Sequence, residues 1–181
     1  MAQEVLWSPV VDPAVVPLVR MPEFLSSASP APLAGLSEGR DSPEGRHAIH
    51  KAGAVTQLLI LPGSDTRGHV AALIPLDAQT LGRIEALTRF WRSWQGRSAP
   101  PDTRMTPQQR RRFRLMMQAA DGRSSGASYR DIAIALYGRS RVAADPWKTS
   151  ALRDAVIGLV EGATALIAGG YLQILRHRRR T

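Results

Sequence analysis

Repeated helix-start signals in the second half of the chain constrain its fold more than any other feature. Thr106-Pro107-Gln108-Gln109 has the pattern of a capping box with proline at the first helical position. Ser128 can cap a second helix, and Asp145-Pro146 again joins a capping residue to a proline. Apolar residues follow each signal at helical spacing. The sequence therefore predicts an all-α domain of four to five helices over residues 106–181.

Stop signals and apolar spacing set the expected bounds of these helices. Asp121-Gly122, Gly138 and Gly169-Gly170 are the expected helix ends, with a short last element from Tyr171. Residues 139–144 are predicted to form a loop. The apolar faces expected to be buried are Phe113, Met116, Met117 and Ala120; Ile132 and Leu136 with the small residues Ala133 and Ala135; and Leu152, Val156, Leu159, Ala163 and Leu166.

The first half of the chain divides by composition. Residues 1–50 are rich in Pro, Ser, Ala and Gly, bury little apolar surface, and are predicted to be largely extended or mobile. Residues 51–96 are predicted to form a small α/β region, in which apolar runs at 54–61 and 69–74 pair as a β-hairpin. Residues 97–105 are the predicted linker to the helical domain.

An amphipathic helix is expected to follow the hairpin and pack against it. Asp77 is its expected N-cap. The apolar residues at helical spacing are Leu81, Ile84, Leu87, Trp91 and Trp94. The predicted fold class is therefore α+β: an N-terminal β-hairpin plus amphipathic helix, then an all-α domain that resembles a helix-turn-helix.

The positive charge of the chain lies in its second half. Residues 106–181 hold 14 Lys and Arg against 5 Asp and Glu, whereas residues 1–105 hold 10 of each, so the whole net charge of +9 belongs to the helical domain. Such a charge on a small domain favours a polyanionic partner, and nucleic acid is the first candidate. The basic tail at residues 176–180 is expected to be solvated or to contact phosphates without sequence preference.

A short alanine-rich helix, a turn and a second helix make up a helix-turn-helix. Residues 128–138 supply the first helix, and the segment after Pro146 supplies the second; the long connection indicates a variant of the motif. The start of the second helix would enter the major groove, where Arg153 suits a guanine and Lys148 and Thr149 suit phosphates. The candidate nucleic-acid-binding residues are Arg110, Arg111, Arg112, Arg130, Arg139, Arg141, Lys148, Thr149, Ser150 and Arg153.

The sequence contains no motif for catalysis, a cofactor or a metal. No cysteine, Walker A loop, G-x-S-x-G elbow or G-x-G-x-x-G fingerprint occurs. His47 and His50 have a spacing seen in metal sites but lack the helical HExxH context, so exposed histidines are expected there and at His69. No run approaches the roughly 20 apolar residues of a membrane span. We therefore expect a cytoplasmic protein that is not an enzyme.

Several short motifs resemble the RovC-like DNA-binding domain family. They are Thr106-Pro-x-Gln-Arg-Arg-Arg, Gly126-Ala-Ser-Tyr-Arg-Asp-Ile-Ala, Leu136-Tyr-Gly, Trp147-Lys-x-Ser-x-Leu-Arg and Gly169-Gly-Tyr. The family consists of bacterial proteins, common in proteobacteria and on integrative conjugative elements. It includes transcriptional activators and the antiactivator QseM, which binds activator proteins. The resemblance covers about residues 104–176 and implies a bacterial regulator of transcription.

The matching positions in this chain include basic and polar side chains of the second half. They are Arg130, Lys148, Ser150 and Arg153. Gly158 and Glu161 stand where a basic residue is frequent in the family, which weakens the prediction of a phosphate track along the long helix.

Two mechanisms remain open at this point. The first is binding of double-stranded DNA; the alternative is an antiactivator that keeps the fold and binds another regulator. The charge favours DNA, because a pure protein-binder gains little from +9 on one domain. An RNA-binding or nonspecific nucleoid protein would share the charge without a sequence preference. RNA polymerase as a further partner, and an oligomer, also stay open.

Overall fold

The fold contains a β-sheet and a separate group of helices. The computed structural model describes residues 5–25, 33, 35–37, 39–66 and 69–176. The chain divides into two compact units: the sheet unit, residues 1–102 with 175–181, and the helical unit, residues 103–174. The predicted α+β class is confirmed.

The sheet has five strands in the order β2-β3-β4-β1-β5. β1 and β4 are parallel, and the other pairs are antiparallel. The apolar runs predicted to form a hairpin become β4 and β5, but they do not pair with each other, because β1 lies between them. The strands are β1 (Val16–Arg20), β2 (Arg40–Ser42), β3 (Gly45–His50), β4 (Thr56–Ile60) and β5 (Val70–Ala72).

Three of these strands come from the segment that was expected to be extended or mobile. β1 is an interior strand, in which Val16 and Leu18 are almost fully buried and pair with Leu58 and Ile60 of β4. Non-local burial thus outweighs the proline-rich composition on which the prediction depended. Most of the Pro- and Ser-rich stretch at 26–35 lies outside the described residues.

The prediction of exposed histidines at positions 47 and 50 is wrong. Both side chains are buried, and His50 is 0% exposed, with its ring edge against Phe90 at a centroid distance of 5.3 Å. The Nδ1 atom of His47 lies 3.1 Å from the side-chain nitrogen of Gln57, which stands diagonally across on the adjacent strand β4. His69 is half-buried. These imidazoles are parts of the sheet unit's packing.

The helix α1 (Thr80–Trp94) covers one face of the sheet. The side of the helix that it buries there differs from the predicted one. Its buried residues are Arg83, Ala86, Phe90 and Ser93, whereas Leu81, Ile84 and Trp91 are 55%, 45% and 45% exposed. The helix carries two apolar stripes, and the one with Phe90 joins the core of β1 and β4. Of the predicted face, only Leu87 and Trp94 pack against this core.

The predicted role of Asp77 as the N-cap of α1 is also wrong. The N-cap is Gln79, whose side chain makes no capping bond. The Asp77 carboxylate instead accepts a hydrogen bond from the Gln79 backbone N–H at 2.7 Å and pairs with Arg83 at 3.3 Å. The Arg83 guanidinium also donates to the carbonyl of Pro9 at 3.0 Å, which ties the N-terminal segment to α1.

Two of the predicted helix starts in the helical unit are confirmed, and the third is wrong. Thr106 and Gln109 form the predicted capping box, and Ser128 forms one with Asp131. The long helix starts with Ser150 as its N-cap rather than at Asp145-Pro146. The helices are α2 (Pro107–Ser124), α3 (Tyr129–Tyr137), α4 (Arg139–Ala143), α5 (Ala151–Ala165) and α6 (Tyr171–Arg176).

Two other boundaries differ from the sequence prediction. Asp121-Gly122 does not end α2, which continues to Ser124. The predicted loop at 139–144 contains the short helix α4. Val142 of this helix is 2% exposed, and its burial packs the helix against the core. The C-cap of α3 is Gly138 with a φ of 89°, as predicted.

The core of the helical unit lies where α2, α3 and α5 meet. Ala133 is fully buried as predicted, but Ala135 and Met117 are exposed. Ala119 takes the place that Met117 was expected to hold, because it shares a helix face with Met116. Leu136 is only partly buried at the margin of this core. The buried residues are Met116, Ala119, Ile132, Ala133, Val142, Val156, Leu159 and Ala163.

The helical segment from Ala151 to Arg176 is long and apolar enough to cross a membrane by length and composition alone, which the sequence analysis did not anticipate. One such helix is weak evidence for a membrane span. Val156, Leu159 and Ala163 lie in the core of the helical unit. Gly169, with a φ of 117°, interrupts the helix between α5 and α6.

Candidate nucleic-acid interface

The start of α5 presents exposed polar side chains ahead of a buried cap. Trp147–Thr149 forms one 3₁₀ turn, in which Lys148 and Thr149 are exposed and Trp147 packs against the core. The hydroxyl of Thr149 donates to the carbonyl of Pro146 at 3.3 Å. Trp147 thus anchors this turn to the core.

Ser150 differs from its neighbours in burial and role. It is 4% exposed, and its Oγ accepts a hydrogen bond from the backbone N–H of Leu152 at 3.2 Å. A hydroxyl bonded in this way satisfies one of the unpaired donors of the helix start. Among the candidate residues, Ser150 therefore holds the helix that presents the others.

Arg153 stands in the first turn of α5 with a partly exposed side chain. Its guanidinium lies 3.3 Å from the carboxylate of Asp154, and the two side chains are 43% and 77% exposed. An exposed pair of this kind contributes little to stability and opens at low cost. Arg153 can thus turn to another hydrogen-bond acceptor, such as a base edge or a phosphate.

Arg110, Arg111 and Arg112 form an exposed basic group in the first turn of α2. The positive end of the helix dipole disfavours cations there by a few tenths of a kcal/mol each. The capping box of Thr106 and Gln109 holds this helix start in place. A cationic group set against its own helix dipole invites a functional explanation.

The remaining candidates are exposed arginines on α3 and α4. Arg130 follows the first residue of α3, and Arg139 and Arg141 belong to α4. The Arg141 guanidinium lies 5.7 Å from the ring centroid of Tyr137. Because α4 is a helix rather than a loop, Arg139 and Arg141 point to different sides of it.

Two arginines of α2 were absent from the predicted set. Arg114 is exposed on α2. Arg123 donates to the carbonyl of Ala127 at 2.7 Å and stacks on Tyr129 at 4.7 Å, so it holds the turn between α2 and α3. Both could have been found from the sequence, because they follow Arg110 to Arg112 as further basic residues of the same predicted helix.

The carboxylate of Asp131 lies next to the basic residue Arg130 and is held in place by the capping box with Ser128. Hydrogen bonds from the side chain and backbone of Ser128 lower the pKa of the Asp131 carboxyl. Asp131 therefore stays ionised beside Arg130 at neutral pH. The described part of the chain has no group of three or more His, Asp and Glu that could hold a metal ion.

A small helical unit with cations at exposed helix ends is typical of a nucleic-acid-binding domain. The family model for RovC_DNA-bd, described as a T6SS transcription factor DNA-binding domain, matches residues 73–176. The chain belongs to this family of transcription-factor DNA-binding domains. A search of curated proteins found no match.

The family match also starts about one helix earlier than the resemblance noted in the sequence. It includes α1, which packs on the sheet, as well as the whole helical unit. A DNA-binding domain implies a soluble protein with DNA as a partner, and it suggests that the protein is not an enzyme.

Proposed function

We propose that this chain is a cytoplasmic bacterial regulator that binds double-stranded DNA through a variant helix-turn-helix made of α3 and α5. The two helices contact each other, and the completely buried Ala133 of α3 permits their close approach. The 3₁₀ turn at Trp147–Thr149 and the helix α4 make the connection longer than a tight turn.

The observation that carries this proposal is the arrangement at the start of α5. Lys148, Thr149 and Arg153 surround a helix end that is fixed by Ser150 from the inside. Helix starts of this kind meet phosphates and base edges in the major groove. In the proposal, Arg153 contacts a base, Lys148 and Thr149 contact phosphates, and Ser150 positions them without touching DNA.

The other basic candidates extend the contact with the DNA backbone. Arg110 to Arg112, Arg130, Arg139 and Arg141 are exposed and lie within residues 106–181, the part of the sequence that carries the entire net charge. Each phosphate contact releases counterions and makes the affinity depend on salt. These arginines supply affinity, and Arg153 supplies sequence preference.

The proposal is tested by measuring the affinity of the full chain for a random-sequence duplex. Fluorescence anisotropy detects the binding, and the measurement is repeated over a series of salt concentrations. We expect the logarithm of the affinity to fall linearly with that of the salt concentration, and the slope to flatten when Arg110, Arg111 and Arg112 are changed together to Gln. The matched control removes the same charge from exposed cations of the sheet unit outside the family match, Arg20, Arg40 and Lys51, and should leave the slope unchanged.

The antiactivator hypothesis predicts the opposite result in the same experiment, namely no binding to the duplex. A chain that binds no duplex at low salt, and binds a purified regulator of transcription instead, would overturn the DNA-binding proposal. Selection of bound duplexes from a random pool separates a regulator from a nonspecific nucleoid protein, since only the regulator enriches a sequence.

A further inference from the structure

The sheet unit contains a cavity of about 830 Å³ at one end of its sheet. Asp41 of β2, Arg46 and Ala48 of β3 and Ile60 of β4 line it, together with the loop 61–66. Pockets that bind small molecules have volumes of about 300 to 1,000 Å³, apolar walls and a few polar groups. This cavity has the size and the mixed lining of such a pocket.

Two of the three charged lining residues lie in one row across three strands, and the third, Asp65, lies in the loop and has an interaction of its own. Asp41 is the cross-strand partner of Arg46, and Arg46 is the partner of Ile60 on its other side. Residues opposite each other on antiparallel strands have Cβ atoms only about 5 Å apart. The row therefore places a carboxylate, a guanidinium and an apolar side chain next to one another along the cavity wall.

Asp41 and Arg46 do not neutralise each other in spite of this position. Within the described part of the chain, neither side chain makes an ion pair or a hydrogen bond. A Cβ at Gly39 would collide with the Arg46 side chain, so Arg46 lies across the Gly39 backbone. The Arg46 side chain thus leans towards Gly39, two residues before Asp41, and makes no ion pair with Asp41.

The loop 61–66 forms another wall of the cavity. Ser64 closes a turn in which its N–H donates to the carbonyl of Leu61 at 3.2 Å. The Ser64 hydroxyl is inaccessible to solvent and has no hydrogen-bond partner among the described residues. Ile60 and Ala48 supply a buried apolar floor.

We propose that this cavity binds a small zwitterion, a free amino acid or a dipeptide. Arg46 pairs with its carboxylate, Asp41 pairs with its ammonium group, and the side chain rests on Ile60 and Ala48. A ligand with both charges satisfies both free groups at once, whereas a simple anion or cation leaves one of them unpaired. The inference concerns the sheet unit and does not depend on the proposed DNA binding.

The test screens the 20 common L-amino acids and a panel of dipeptides for a rise in the melting temperature of the full chain, and then measures the Kd of each hit by titration calorimetry. We expect at least one hit. Its Kd should rise about tenfold or more in Asp41→Asn and in Arg46→Gln, since a charge-assisted hydrogen bond is lost. Arg40→Gln is the matched control, because Arg40 is an exposed β2 residue outside the cavity lining.

Charge-deleted analogues of the hit complete the design. The decarboxylated amine and the N-acetylated acid should each bind about tenfold more weakly or worse. The absence of any hit, an equal Kd for the Asp41 and Arg46 variants and the native chain, or full binding of either analogue would overturn the inference. Since Asp41 and Arg46 are exposed and unpaired, the apo melting temperature should not change in their variants.

Discussion

Ser150 and Leu152 are joined by the hydrogen bond that starts α5, from the Leu152 backbone N–H to Ser150 Oγ at 3.2 Å. The bond places Ser150 inside the protein, between the exposed Thr149 and the partly exposed Arg153. One buried hydroxyl thereby sets the direction of a helix end whose exposed side chains are free to reach a partner. Ser150 stabilises the helix start, and its exposed neighbours are available for binding, so substitutions can test the two roles separately.

Ser150→Ala should destabilise the chain by about 1 kcal/mol, because the N-cap bond is lost. Chemical denaturation measures the loss. Ser150→Gly should lose only a few tenths of a kcal/mol, since glycine is itself accepted at an N-cap. Thr149→Ala is the matched control and should change stability by less than about 0.5 kcal/mol, as exposed residues usually do. A Ser150→Ala chain as stable as the native one would contradict the cap.

Gly158→Ala and Gly162→Ala form a second matched pair, on α5. A Cβ at Gly158 would meet no atom of the described residues within 4 Å, whereas a Cβ at Gly162 would collide with Met116 Cε on α2. Gly158→Ala should therefore stabilise the chain by up to about 1 kcal/mol, through helix propensity. Gly162→Ala should gain less or lose stability.

The same substitution in a Met116→Ala background isolates the contact. There Gly162→Ala should regain the helix-propensity benefit, because its Cβ then has space. Equal effects of Gly162→Ala in the native and Met116→Ala backgrounds would show that the two helices do not meet at this point.

Ile132→Ala should cost about 2 to 5 kcal/mol, because Ile132 is 3% exposed at the centre of the helical core. Leu136, one turn further along α3, is partly buried, and Leu136→Ala should cost distinctly less. Denaturant midpoints of the two variants provide the comparison. A larger loss for Leu136→Ala would mean that α3 is rotated about its axis.

Burial lowers the pKa of His50 below its usual 6.5. The unfolded chain therefore binds a proton at pH values where the folded chain does not. The stability contributed by neutral His50 is complete above pH 6.5 and decreases as the pH falls below it. Melting temperatures on both sides of pH 6.5 should show this decrease, and His50→Leu should reduce it.

Substitution of His69, which is half-buried elsewhere in the sheet unit, is the control for this experiment. His69→Asn should leave the decrease below pH 6.5 in place. A native slope that persists in His50→Leu would assign the proton uptake to another group.

The sequence predicted best those features that depend on neighbouring residues. The capping boxes at Thr106 and Ser128 join side chain and backbone within three positions, so the pattern alone identifies them. The start of α5 was missed because Asp145-Pro146 and Ser150 are both acceptable caps, and the burial of Ser150 decided between them. The exposure of the arginines was predictable, since charged side chains are rarely buried unless they are paired.

Features set by distant contacts were not predictable in the same way. The strand β1 has proline-rich neighbours and becomes central only by parallel pairing with β4, about forty residues later in the chain. α1 has two apolar stripes, and the sheet selects the one with Phe90 over the one with Leu81. For the same reason, the free pair of Asp41 and Arg46 is visible only once the register of β2 and β3 is known.

Arg153→Ala and Lys148→Ala should separate base recognition from phosphate binding. Arg153 lies inside the first turn of α5, whereas Lys148 lies in the 3₁₀ turn before it. With a duplex selected from a random pool, Arg153→Ala should cost about 1 to 3 kcal/mol and leave binding to random DNA nearly unchanged. Lys148→Ala should weaken both duplexes equally and reduce the salt slope by about one.

Arg153→Lys sharpens the distinction, because lysine keeps the charge but lacks the two parallel donors that a guanine requires. If Arg153 reads a base, Arg153→Lys should bind random DNA as the native chain does and should still lack the preference for the selected sequence. Full recovery of the preference would mean that Arg153 acts only as a positive charge. Sequence recognition would then have to come from another residue at the start of α5, with Thr149 the nearest exposed hydroxyl.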